Sequence, residues 1–192
     1  MSSEANNITK VLFVCLGNIC RSPMAEAVFA HQVNQRLLND RFHIDSAGTA
    51  GYHAGDKPDS RSAATCKAHG VPVNHRARQV QKEDFSQFDH ILCMDNSNLR
   101  DLKRMQPRGS KAQVSLFGAY DEQSPGSIIE DPYYGGNEGF ETRGLEKRAS
   151  KQAVEAAPAR VFGVSCACIQ ALALAFIPDD ARHCLAEAPP LE

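Results

Sequence analysis

Four short apolar, β-branched runs, each followed by a turn and a stretch of helical spacing, constrain this chain most. The runs are Lys10–Leu16, "FHIDSAG", "HILCM" and "AQVSLFG". The first reads as a buried strand, apolar on both faces. After it Pro23 suits a first helical turn, and Met24, Ala27, Val28 and His31 continue at helical spacing. "DSRSAATCKAHG" reads as a helix stopped by Gly70. "DNSNLRDLKRMQP" reads as one between an Asp/Asn cap and Pro107. Strands alternating with helices predict an α/β fold, a doubly wound, four-stranded parallel sheet with helices on both faces. In such sheets ligands bind beyond the carboxyl ends of the strands. Cys15, Ser46 and Asp95 fall at such ends. The chain shows no internal repeat and no low-complexity segment.

The first strand hands over to its helix through "CLGNICRSP". A loop of this kind, here Leu16, Gly17, Asn18, Ile19, Cys20, Arg21 and Ser22, turns several backbone N–H groups into one concavity. Together with the positive end of the helix dipole they bind an anion. Arg21 adds a planar fork that holds two phosphate oxygens at once, which a lysine cannot do. Gly17 permits a sharp turn and Asn18 tolerates a left-handed backbone. A thiol at the floor of that nest feels the same field, which favours the nucleophilic thiolate. The arrangement predicts a Cys15 nucleophile beneath a phosphate clamp. The ATP-type pattern GxxxxGK[ST] is absent.

Bulk composition narrows the partners. The 192 residues are 42% hydrophobic and 23% charged with a formal net charge of -2, which suits one globular domain and predicts no nucleic-acid binding and no membrane-surface binding. "MSSEANNITK" has no apolar h-region, so the expected location is cytoplasmic. Seven cysteines without a secretion signal then read as reduced thiols.

The stretch "VLFVCLGNICRSPMAEAVF" resembles the nucleophile loop of low-molecular-weight protein tyrosine phosphatases. The resemblance continues through "DSAGTAGYHAGDKPDSRS", "HGVPVNHRARQV", "FDHILCMDNSNLRDL" and "IIEDPYYGG", over residues 8–142. It implies hydrolysis of phosphotyrosine in proteins, and of small aryl phosphates, through a phosphocysteine intermediate, with acid phosphatase activity beside it. Phosphotyrosine proteins would be the partners and phosphate or other oxyanions the inhibitors. No metal or organic cofactor is implied, since the backbone nest and Arg21 supply the positive charge. Asp131, biased by Pro132 toward an extended conformation, would be the general acid, and Cys15 and Arg21 its catalytic partners. Tyr133 and Tyr134 would wall a slot for the phosphotyrosine ring, with Tyr52 and His53 on the opposite rim. Asn18, Ser22, Ser46 and His75 would support the loop. Cys20 would form a reversible disulfide with Cys15 that protects the nucleophile. Cys66 and Cys93 read as buried structural thiols.

Two other functions share parts of this pattern. Arsenate reductases share the fold and the loop but need a further redox pair, and residues 81–100 hold only Cys93. Protein-arginine phosphatases tend to carry threonine where Ile19 stands. A catalytically inactive phosphate-binding adaptor would not need Cys15, Arg21 and Asp131 together. The expected organisation is a phosphatase domain over residues 1–142 and an atypical tail over 143–192. That tail lacks the aromatic and leucine anchors expected of the family's last helix. A genuine extension, a weak membrane anchor at Val161–Ile177, and a gene model run through an intron or shifted frame are the competing explanations. A poorly anchored helix is expected between residues 139 and 157. The spacing of Cys166, Cys168, Cys184 and His183 suits zinc poorly.

Overall fold

The computed structural model describes residues 8–121 and 124–131. Four strands form one parallel sheet: β1 Thr9–Cys15, β2 Phe42–Gly48, β3 His90–Cys93 and β4 Gln113–Leu116, in the order β2-β1-β3-β4. The order reverses around β1, the first strand laid down and the one between its two neighbours. A crevice therefore opens at the carboxyl end of β1, between chains leaving in different directions. Cys15 lies there, opposite Gly48 of β2.

β1 is central because its side chains are apolar on both faces. Val11, Phe13 and Cys15 face one layer, with Phe29 and Val33 from helix α1 (Arg21–Gln35) and Phe117 after β4. Leu12 and Val14 face the other, with Phe85, Ile91, Val114 and Leu102 of a later helix, Asn96–Met105. Phe13 meets Phe29 and Phe117 edge-on at centroid distances of 5.6 and 5.2 Å. Truncating so buried an aromatic typically costs about 3–5 kcal/mol, so Phe13→Ala would endanger the whole domain.

The helix ends follow local chemistry. α2 (Ser60–Ala68) is capped by Asp59, whose side chain accepts from Arg61 N at 2.9 Å, and Gly70 follows at φ 75. Asn96–Met105 is capped by Asp95, which accepts from Asn98 N at 2.8 Å, and it stops before Pro107. Two elements lie outside the sequence-based reading: a 3-10 turn at Asn39–Arg41 and a short helix α3 at Asp84–Gln87, which makes Asn96–Met105 α4. Both are too short to show a periodicity. The first strand also ends one residue earlier than predicted, at Cys15, because Leu16 has already turned out and is 37% exposed.

The tail, the Tyr133–Tyr134 wall and the tail cysteines lie outside the described residues. Among the described residues, no helix is long and apolar enough to cross a membrane.

Candidate functional site

The loop after β1 closes on itself around the Cys15 sulfur. Asn18 N–H donates to Cys15 Sγ at 3.3 Å, and Ser22 Oγ lies 3.1 Å from the same sulfur. These contacts require Asn18 to take φ 56, the left-handed region its sequence position predicted. Gly48 opens the space for the loop: a Cβ there would fall 2.8 Å from Leu16 O and 2.9 Å from Ala50 O.

The Asn18 side chain is the hub beneath the loop and is 1% exposed. Its amide donates to Ser22 Oγ and to Ser46 Oγ, both at 2.9 Å. Its carbonyl accepts from Arg78 N and contacts His75 Nε2, both at 2.8 Å. The sequence-predicted set Asn18, Ser22, Ser46 and His75 is thus brought together. Two further members were missed. Glu26 of α1 accepts from Ser46 Oγ at 2.6 Å and lies 3.1 Å from His75 Nδ1. Arg78 also fixes this layer by pairing with Asp45 at 2.8 Å and Asp84 at 3.0 Å.

Arg21 is 5% exposed, and the two terminal nitrogens of its guanidinium are both engaged. NH1 donates to Asp95 Oδ2 at 2.7 Å and to Ile129 O at 2.9 Å; NH2 donates to Asp131 Oδ2 at 2.7 Å. Burial alone would loosen its proton, but Cys15, Asp95 and Asp131 outweigh that and push its pKa up. It stays cationic throughout. Among the described residues Arg21 Nε is buried with no hydrogen-bond partner, a cost that an anion's oxygen would remove. The sequence places Asp95 both as a helix cap and at the carboxyl end of a strand; one oxygen caps the helix, and the other holds Arg21.

Above the sulfur opens a cavity of about 230 Å³ lined by Cys15, Leu16, Gly17, Ile19, Cys20, Arg21, Tyr52, His53 and Asp131. The sequence-predicted nucleophile Cys15, clamp Arg21 and acid Asp131 therefore share one space with the rim residues Tyr52 and His53. Cys20 is 4% exposed, and burial above all pushes its thiol up to about 12. Burial does the same to Cys66 and Cys93, which suits structural thiols.

Among the described residues, Glu26, Asp45 and His75 bring donor atoms within 4.8 Å of one another, the geometry a metal ion could use. Glu26 already accepts from Ser46 and contacts His75, whose other nitrogen meets Asn18, and the Arg78 guanidinium on Asp45 opposes a second cation.

A family model described as "Low molecular weight phosphotyrosine protein phosphatase" matches residues 10–157. The Homo sapiens protein named low molecular weight phosphotyrosine protein phosphatase is 55% identical over 141 residues, covering 72% of this chain and 89% of that one. Among solved structures, a protein tyrosine phosphatase from Entamoeba histolytica with Hepes in the active site aligns with a TM-score of 0.65 at 40% identity, over 68% of this chain and 83% of that one. DARP, a drosophila arginine phosphatase, aligns with a TM-score of 0.63 at 42% identity, over 68% and 85%.

Proposed function

We propose, for a chain that belongs to the low molecular weight phosphotyrosine protein phosphatase family and is thereby a protein-tyrosine-phosphatase, that Cys15 carries the phosphoryl group between two displacements. The observation that carries this reading is the convergence on one cavity of the Cys15 sulfur, the Arg21 fork and the Asp131 carboxylate. Small aryl phosphates fit the same chemistry, because the reacting group is identical and the protein chain around it is not needed for bond breaking.

In the first step the phosphate settles into the loop N–H groups and the unpartnered Arg21 Nε. It also competes for Arg21 NH2, which otherwise holds Asp131. Substrate binding thereby frees that carboxylate for the leaving oxygen. Cys15 Sγ attacks phosphorus, and Asp131, carrying a proton, gives it to the departing phenolate. Contacts from Asn18 N–H and Ser22 Oγ stabilise the sulfur as it leaves in the second step. There Asp131 takes a proton from the water that attacks the phosphocysteine. Ile19 adds an apolar branched wall to the cavity, suited to an aromatic ring. Phosphate and other oxyanions inhibit by occupying the loop.

Acid-quenched turnover with radiolabelled phosphotyrosine tests this. The expected result is label on Cys15, and a loss of at least about 10⁴-fold in kcat for Cys15→Ser with phosphate binding retained. Asp131→Asn should slow phenyl phosphate more than p-nitrophenyl phosphate, whose leaving group needs little protonation. Cys15→Ser retaining turnover, or phosphoarginine outrunning phosphotyrosine, overturns the reading.

A further inference from the structure

We propose that Asp56 is a positioning residue that holds His53 at the cavity mouth, and that the pair selects phosphotyrosines flanked by an acidic side chain. This rests on the phosphotyrosine reading above and adds which phosphotyrosines are preferred.

His53 lines the cavity, and its Nδ1 lies 3.0 Å from Asp56 Oδ2. That contact gives the ring one orientation. A Cβ placed on Gly17 would fall 3.0 Å from His53 Cδ2 and 3.8 Å from Nε2. The Cδ2–Nε2 edge therefore lies over the nucleophile loop, while Nδ1 is turned toward Asp56. Tyr52 meets the imidazole edge-on at a centroid distance of 5.1 Å. The carboxylate is itself fixed by the turn that carries it. Asp56 N donates to His53 O at 2.9 Å, Gly55 N to Ala77 O at 2.7 Å, and Ala77 N to Asp56 O at 3.0 Å.

A carboxylate accepting from Nδ1–H leaves Nε2 as the ring nitrogen offered to substrate, and in the protonated ring both nitrogens donate. An imidazolium at the mouth attracts a neighbouring carboxylate. The surrounding charges agree. Arg76, exposed, donates to Gly55 O of the same loop at 3.2 Å, and Lys57 follows Asp56. Arg78 is taken by Asp45 and Asp84, and Arg21 and Asp131 hold each other at the floor. Of the acids on this loop, Asp56 is engaged by His53 and Asp59 by Arg61, which among the described residues leaves Lys57 and Arg76 as a cationic edge.

The test uses two phosphotyrosine peptides differing only in Glu or Gln beside the phosphotyrosine, at about pH 5.5, where an imidazole carries its proton. The readout is the Glu/Gln ratio of kcat/KM, so each variant's overall rate cancels. Wild type should favour Glu by about three- to fivefold, expressed in KM, the size of a rim charge pair. His53→Ala should erase the preference. Asp56→Ala should lower it although a negative charge has been removed, whereas Asp56→Asn, which still accepts from Nδ1, should keep it. In the His53→Ala background, Asp56→Ala should instead raise the ratio, because only repulsion is then lost. That reversal of sign separates positioning through His53 from simple electrostatics or a structural role. An active wild type with no preference, or an Asp56→Ala effect of the same sign with and without His53, overturns the inference alone. A wild type inactive on both peptides overturns the phosphotyrosine reading and this inference with it.

Discussion

Helix α1 carries a left-handed, non-glycine residue beyond each of its ends, Asn18 before it and Leu37 after it, both at φ 56. The backbone strain is the same kind at both, and the surroundings are opposite. Asn18 is 1% exposed and its amide group joins four neighbouring groups beneath the loop that follows β1. Leu37 is 84% exposed. At the first end strain is offset by buried hydrogen bonds that set the shape of a site. At the second it is the residue of a helix stop that happens to carry the wrong side chain. Function explains the first and only geometry explains the second.

The largest effect lies at the functional end. Arg21→Lys keeps the charge and loses the fork, so one ammonium must choose among Asp95, Ile129 O, Asp131 and the phosphate. A loss of about 10³-fold or more in kcat/KM for an aryl phosphate is expected from steady-state rates. A loss under tenfold would show that charge alone suffices and that the directed geometry of this end is incidental.

Asn18 comes next and tests whether strain or hydrogen bonding dominates. Asn18→Gly accepts φ 56 freely but takes one buried partner each from Ser22, Ser46 and His75 and leaves Arg78 N without its acceptor. A cost of about 2–3 kcal/mol follows, seen as a melting temperature lower by roughly 5–10 °C. A loosened loop should also lose about 10²-fold in kcat. Asn18→Ala adds the strain and should be about 1 kcal/mol worse still. If Asn18→Gly were as stable as wild type, the hub would carry no stabilisation.

These contrasts show what a sequence can reveal. The four strands were legible because β1 is apolar on both faces and its neighbours are short and bounded by turns. The Asn18 conformation was legible because asparagine is among the few residues that adopt it easily. Glu26 was not, since an acidic residue on a helix reads as a solvated face, and His75 reaches it only through the fold. Arg78 was hidden for a different reason: it serves Asn18 through its backbone N–H, which any residue but proline supplies. Asp95 was read correctly as a cap and incompletely, because its second oxygen serves Arg21. Leu37 gave no signal, because leucine disfavours the conformation it adopts.

A smaller effect concerns Cys20, the N-cap of α1, whose side chain makes no capping bond. In the protective cycle expected of this pair, peroxide would convert the Cys15 thiol to a sulfenic acid. Cys20, as thiolate, would attack that sulfur to form the S–S bond, and hydroxide would leave as water. With its thiol pushed up to about 12, chiefly by burial, Cys20 is mostly protonated near neutrality. Thiolate gains as pH rises toward that value, so closure should quicken by up to tenfold per pH unit between pH 6.5 and 9. Dimedone labelling after a peroxide pulse follows it, and Cys20→Ser should lose reductant-recoverable activity. A closure rate indifferent to pH would mean Cys20 does not act as the protonated, buried thiol described here.

The smallest effect, and the sharpest on the comparison, is at the other end of the helix. Leu37 N donates to Asn34 O at 3.0 Å and Leu38 N to Val33 O at 3.1 Å, the paired bonds of a helix stop that favours glycine at this position. Leu38 packs against the cluster that contains Val33, so the residue after Leu37 is already anchored. Leu37 itself is exposed and contributes little burial. Leu37→Gly removes a left-handed penalty of about 1–2 kcal/mol and adds unfolded-chain entropy worth about 0.4–1 kcal/mol. The net is a gain of about 0.5–1 kcal/mol, or roughly 1–4 °C in thermal unfolding, with unchanged kcat and KM. The same substitution therefore stabilises one end of α1 and destabilises the other, at identical φ. Should Leu37→Gly destabilise as Asn18→Gly does, the exposed leucine must make a contact worth more than its strain, and the two ends would not differ in kind.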